Sequence, residues 1–166
     1  MPTDTNHIQA AIHDIATVRY LIDGREYSDW AATVAFYAGL HIVDAILFCD
    51  PQSQRKHGGT HSDRTDCLRG ARRYDHIYRQ YAPLWRASKI ARYLQNAGSD
   101  STILFKQYMT VEQVEEKLVR FHLWQLIKSA ANFLPDEHTK RLTDAFAGHF
   151  PLQDRGEEDT QANVSS

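Results

Sequence analysis

The stretch "SDWAATVAFYAGLHIVDAILFCDP" constrains this chain more than any other. Between residues 31 and 48 its only strongly polar side chains are His41 and Asp44. Ser28 or Asp29 opens it as a helix and Pro51 closes it, because proline disfavours helical backbone in the residue before it. A helix that is apolar on nearly every side must be covered on nearly every side. Its length also suits a membrane crossing. Both flanks are acidic, however, and a His/Asp pair at mid-membrane has no evident partner. The expected role is the central rod of a helical bundle, with no membrane.

The remaining segments supply the cover. Ile8, Ile12, Ile15 and Ile22 repeat at a helical period, widened by Ala11, Val18 and Leu21, so residues 5–22 read as an amphipathic helix capped by Thr5 or Asn6. "DGRE" is a turn, with Gly24 the expected C-terminal stop. Residues 51–62 form a long loop. Residues 63–95 read as almost continuous helix, capped by Ser62 or Asp63 and broken or kinked at Pro83. "NAGSDST" interrupts, and "ILFKQYM" is ambiguous between helix and strand. Thr110 and Gln113 make a capping box for a helix that runs to Pro135. Its apolar face is read as Val111, Val114, Leu118, Phe121 and Leu126, broadened by Val119, Leu123, Trp124 and Ile127. One shorter helix follows Pro135. No repeat and no convincing strand pair is visible. The expected fold is all-α, an antiparallel up-and-down bundle of four to five main helices. It forms one domain over residues 1–150, followed by a disordered acidic tail over residues 151–166.

Charge is segregated along the chain. Residues 55–92 carry ten Lys/Arg against three Asp, whereas the rest carries nine Lys/Arg against eighteen Asp/Glu. This pattern places a basic surface on one part of the fold, unless the arginines pair with acids elsewhere in the chain or across a dimer. Two cysteines, Cys49 and Cys67, are too few for a disulfide framework or a zinc site of usual spacing. The N-terminus lacks a charged region followed by an apolar one. A reduced, cytoplasmic protein is the expectation.

Three groups of polar residues need a reason. Tyr37, His41 and Asp44 fall at i, i+4 and i+7 on the apolar rod. They either pin helices together, with His41 bonded to Asp44 or to a carbonyl, or line a cleft where Asp44 orients His41 for phosphate binding or proton transfer. In "HGGTHSDR", His57 and His61 are separated by three residues. Gly58 and Gly59 argue for loop over a two-histidine metal pair, and no further ligand completes a metal set. Glycines followed by a helix start suit an anion, with His61 and Arg64 adding charge. Finally, Arg69, Arg72, His76, Arg79 and Arg86 line one face if their segment is continuous helix, with Lys89 and Arg92 extending the line. Beside them run Tyr74, Tyr78, Tyr81 and Trp85. A basic row beside aromatics suits single-stranded nucleic acid, although aromatics at helical spacing belong more often to a core.

The segments "DWAATVAFYAGLHIVDAILF", "HGGTHSDR", "YAPLWRASKIARYL" and "TVEQVEEKL", in that order, resemble the bacterial and archaeal HEPN-domain proteins over roughly residues 28–130. The resemblance implies a four- or five-helix bundle that usually dimerises. Many members are metal-independent ribonucleases, often toxins or defence effectors. Others are non-catalytic partners of small nucleotidyltransferases. Nuclease members carry an Arg and a His separated by four to six residues near the start of a late helix. Here that helix offers only Arg120 and His122, and the pairs that fit the spacing, Arg55 with His61 and Arg69 with His76, lie elsewhere. The expectation is therefore an HEPN-like homodimer that binds or cleaves RNA or a nucleotide phosphate, with no cofactor. His61, Arg64 and His41 stand at its centre, Tyr37 and Asp44 support them, and His57, Arg69, Arg72, His76 and Arg79 contact phosphate. The alternative is a non-catalytic interaction module.

Overall fold

The computed structural model describes residues 2–53, 59–93 and 104–151. Among these the chain is all-helical, without a strand. The helices are α1 (Asp4–Gly24), α2 (Ser28–Cys49), α3 (His61–Arg69), α4 (Asp75–Tyr93), a single turn α5 (Phe105–Tyr108), α6 (residues 111–130) and α7 (Asp136–His149). A 3₁₀ turn, Arg72–Tyr74, joins α3 to α4.

The apolar rod is α2, and its cover comes from the chain itself. It meets the length and composition of a membrane-crossing helix, yet its apolar residues are mostly buried. α1, α4 and α6 pack against it, and α7 closes over α1 and the end of α6. The resulting core runs from Ile8, Ile15 and Val18 through Phe36, Ile42 and Ile46 to Leu84, Leu126 and Phe146. Gly39 sets the closest approach. A Cβ there would lie 2.8 Å from Leu84 Cδ1 and 3.3 Å from Leu126 Cδ2, so α2, α4 and α6 meet at a position that has no side chain to separate them.

Helix ends differ from their sequence reading in instructive ways. α1 is capped by Thr3, not Thr5 or Asn6, because Thr3 and Asn6 complete a reciprocal capping box. Gly24 is the last helical residue, and Arg25 takes the left-handed conformation at φ 56° that stops the helix. α3 is capped by Thr60, with Ser62 and Asp63 inside its first turn. The Asp63 carboxylate accepts from the Thr60 N–H at 3.0 Å and from its hydroxyl at 2.8 Å. Residues 63–95 are not one helix, since the chain leaves the helix at Gly70 and re-enters after the 3₁₀ turn. α4 instead continues through Pro83 as one helix, although proline donates no backbone hydrogen bond there. Phe105 of the ambiguous "ILFKQYM" is buried within α5, and residue 103 lies outside the described residues.

α6 departs most. Val114–Leu123 winds as a π-helix, with α-helical turns on either side. Its bonds reach one residue further than in an α-helix, giving about 4.4 residues per turn. That winding gathers Val114, Leu118, Val119 and Leu123 on the buried side. It swings Phe121 off the apolar face, where α-helical periodicity had placed it, and leaves it 53 % exposed. It also aligns Glu115 with Arg120, five residues on, at 2.8 Å.

Candidate functional site

The line Tyr37–His41–Asp44 on α2 is real, but its members do not serve one another. Asp44 is buried at 3 % exposure, and its partner is Arg64 from α3. The guanidinium meets the carboxylate in a fork, with Nε donating to Oδ1 at 2.6 Å and Nη2 to Oδ2 at 2.9 Å. Nη1 donates to the Thr60 carbonyl at 3.4 Å. Hydrogen bonding and the charge of Asp44 raise the Arg64 pKa against a larger opposing effect of burial, so the cation stays charged inside the fold.

His41 turns the other way. Its Nδ1 lies 3.1 Å from Nδ1 of His7 on α1, so one imidazole donates and the other accepts. The expected His41–Asp44 bond is thus replaced by a contact between α1 and α2. Burial lowers the His41 pKa, Arg64 adds to that, and Asp44 opposes it.

His61 is the first residue of α3, and its ring packs against buried Phe36 at 5.4 Å between centroids. Its Nδ1 is buried without a hydrogen-bond partner, which leaves Nε2 as the ring nitrogen that meets solvent. Burial lowers its pKa first, followed by the charges of Arg64 and Arg92, with Asp44 pulling the other way. The imidazole is therefore neutral at neutral pH and available as a proton acceptor.

Phe36 gathers two more groups. Tyr81 of α4 lies 5.8 Å away between centroids, and burial pushes its hydroxyl up to about 12, so it stays protonated beside Arg64. Arg92, from the end of α4, places its guanidinium 5.6 Å from the Phe36 ring, 5.8 Å from Tyr37 and 5.1 Å from Tyr93. It donates to the Tyr37 hydroxyl at 3.4 Å and to the Ser88 carbonyl at 3.3 Å. Among the described residues it meets no carboxylate, unlike Arg64. The site is thus a half-exposed rim of His61, Arg92 and Tyr37 over Phe36, with the Asp44–Arg64 pair buried beneath.

Sequence reasoning assigned the free cation to Arg64 and did not place Arg92 in the site. The signal was present. Arg92 falls eleven residues after Tyr81 and four after Ser88, which puts all three on one face of α4. The partner of His41 was also missed, because His7 reads as an ordinary polar residue next to the apolar stripe of α1.

The remaining candidates sit apart. His57 and Gly58 lie outside the described residues. The α3 N-terminus, expected to receive an anion, spends the Thr60 N–H on the Asp63 carboxylate of its own chain. Arg69 ends α3, Arg72 opens the 3₁₀ turn, and His76 and Arg79 stand on α4; all four are exposed. The break at Gly70 means that only His76, Arg79 and Arg86 share one helix face. Tyr74 and Tyr81 are buried and Tyr78 and Trp85 half-buried, so the aromatic stripe is mainly core. Of the described cations between residues 55 and 92, only Arg64 and Arg73 pair with acids, Arg73 with Asp50 at 2.8 Å. No three His, Cys, Asp or Glu side chains among the described residues gather in a way that could hold a metal ion.

No protein-family model, no curated protein and no solved structure matches this chain.

Proposed function

We propose that the protein is an HEPN-like helical bundle that binds RNA through phosphate at the His61–Arg92 rim and cleaves it without a metal. One observation carries the reading: a neutral, half-exposed imidazole beside a guanidinium with no carboxylate partner. Arg92 supplies charge for a phosphate oxygen. His61 Nε2 accepts the proton of the adjacent 2′-hydroxyl. The 2′-oxygen then attacks phosphorus, and the 5′-oxygen leaves with a proton from solvent. Asp44–Arg64 is a positioning pair, since it fixes the start of α3, and hence His61, against α2. The exposed arginines Arg69, Arg72 and Arg79, with His76 among them, extend the electropositive surface along which RNA approaches.

Incubation with RNA in EDTA tests this. The expected products end in 2′,3′-cyclic phosphate, and His61→Ala abolishes them while the helical circular dichroism is retained. RNA that stays intact in EDTA but is cut on adding metal contradicts the mechanism.

The second reading is a non-catalytic module that docks on a nucleotidyltransferase or another acidic protein. The observation in its favour is that Arg64, the arginine next to His61 in sequence, is spent on Asp44. It requires RNA to remain both intact and unbound. The HEPN resemblance, a homodimeric assembly, a role in toxin–antitoxin or defence systems and a cytoplasmic location belong to the same proposal and rest on the sequence segments quoted above.

A further inference from the structure

α2 is covered on every side but one. From Trp30 to Leu47, the residues that are not buried are Trp30, Val34, Tyr37 and His41. They recur at i, i+4, i+7 and i+11 and so form a single stripe. α1 borders the stripe where His7 meets His41, and α4 borders it where Arg92 meets Tyr37. Both helices pack on α2 rather than on each other, so the stripe stays open between them. Trp30 is 59 % exposed. It stands about 10 Å from Tyr37 along the helix axis, with only the short side chain of Val34 between the two rings.

The α1 border carries a carboxylate that serves nothing inside the fold. α1 and α2 run antiparallel from the turn at residues 25–27. Asp14, seven residues after His7, therefore comes level with Val34 and shares the His7 face of α1. Among the described residues it makes no hydrogen bond and no ion pair. It is half-buried all the same, and burial pushes its pKa up to about 6. Above that pH it is an ionised acceptor that its own chain leaves without a donor, a cost that a donor from a ligand offsets.

An aromatic stripe with a carboxylate on one border and the Arg92 guanidinium on the other is the complement of a nucleotide, which offers a π-face, an N–H edge and a phosphate. Guanine suits the carboxylate best, because its N1–H and N2–H point side by side at two oxygens. Adenine and cytosine set an acceptor nitrogen beside their amino group, and uracil flanks its one N–H with carbonyls.

We propose that the stripe takes the guanine base of a nucleotide whose phosphate rests on Arg92. The base lies over Val34 against the rings of Trp30 and Tyr37, and its N1–H and N2–H donate to Asp14. The phosphate contact rests on the function proposed above; the recognition of guanine does not. In RNA, this arrangement confines binding at the rim to guanosine.

The test uses the full chain labelled with 5-fluorotryptophan at about pH 8, where Asp14 is ionised. Trp85, beneath Lys89, and Trp124, stacked on Phe146, serve as internal references. Guanosine 3′-monophosphate is expected to shift the ¹⁹F resonance of Trp30 alone and to saturate. The adenosine, cytidine and uridine 3′-monophosphates are expected to bind about tenfold more weakly. Asp14→Asn must remove the preference for guanine, since an amide keeps only one acceptor oxygen. Thermal unfolding of that variant shows that it is folded. Trp30→Ala is expected to weaken binding about tenfold by calorimetry. An equal response to all four nucleotides, or an unaltered preference in Asp14→Asn, overturns the proposal. So does a Trp30 resonance that ignores nucleotide, or one that moves with protein concentration alone because a second copy covers the stripe. The pentaribonucleotides UUGUU and UUUUU separate this site from the RNA reading. If guanosine monophosphate binds and neither pentamer does, the guanine site stands and the RNA reading falls. If both pentamers shift His61 and Arg92 with equal affinity, the RNA reading stands and the guanine site falls.

Discussion

Asp44 and Arg64 place a full ion pair in the interior, where each charge is tolerated only because the other is present. Removing one partner is therefore far worse than removing both. Asp44→Ala is expected to destabilise the protein by about 3–5 kcal/mol in urea denaturation, whereas Asp44→Leu with Arg64→Met recovers most of that loss. Asp14 on α1 behaves oppositely. Burial pushes its pKa up from 3.8 to about 6, with His13 opposing only weakly. The folded state thus favours the neutral acid. The stability contributed by this group is present below the unfolded value and is lost as pH rises through about 6. Asp14→Asn is expected to stabilise by about 1–2 kcal/mol at pH 7, and the gain should vanish as pH falls below about 4 when denaturation is followed across pH. At this scale the sequence named His41, Asp44, His61 and Arg64 as a set but mispaired them. Spacing shows which residues share a face of one helix. It does not show that Arg64 reaches Asp44 across helices, or that His7 reaches His41.

Among the elements, α2 was the most legible, because its composition demands cover on all sides and Pro51 fixes its end. The capping box at Thr110 was equally clear, since its signal is local. The break at Gly70 was not, because nothing between Asp63 and Gln95 apart from Pro83 and Gly70 interrupts a helical pattern. The aromatic stripe fell mainly to the core, as its spacing favoured. The π-winding of α6 was invisible to a reading that assumes 3.6 residues per turn, and Phe121 was misplaced for that reason alone. Gly39 offers the clearest test of element packing. A branched side chain there must push Leu84 and Leu126 aside within a filled core. Gly39→Val is expected to lower stability by about 1–3 kcal/mol, and hydrogen exchange should show the amides of α4 near Leu84 opening earlier than those of α7. Equal loosening of both helices would place the close approach elsewhere.

Over the whole molecule, a continuous core was read correctly from composition and periodicity, because it is a sum over many residues. The all-α class followed from the same sums. What those sums could not supply was convergence. Phe36 draws His61, Tyr81 and Arg92 together from α3 and both halves of α4, and only the packed chain brings these groups to one rim. The account depends on that rim accepting phosphate. The most direct measurement is a titration of the full chain with a short oligouridylate in EDTA, followed through the ¹⁵N resonances of the histidine rings and of the arginine Nε groups. His61 and Arg92 are expected to shift together and to saturate, while His138, held by Asp4 at 3.0 Å on the α1–α7 side, stays in place. Resonances of His61 and Arg92 that remain fixed throughout the titration, whether or not exposed side chains elsewhere move, would contradict the account.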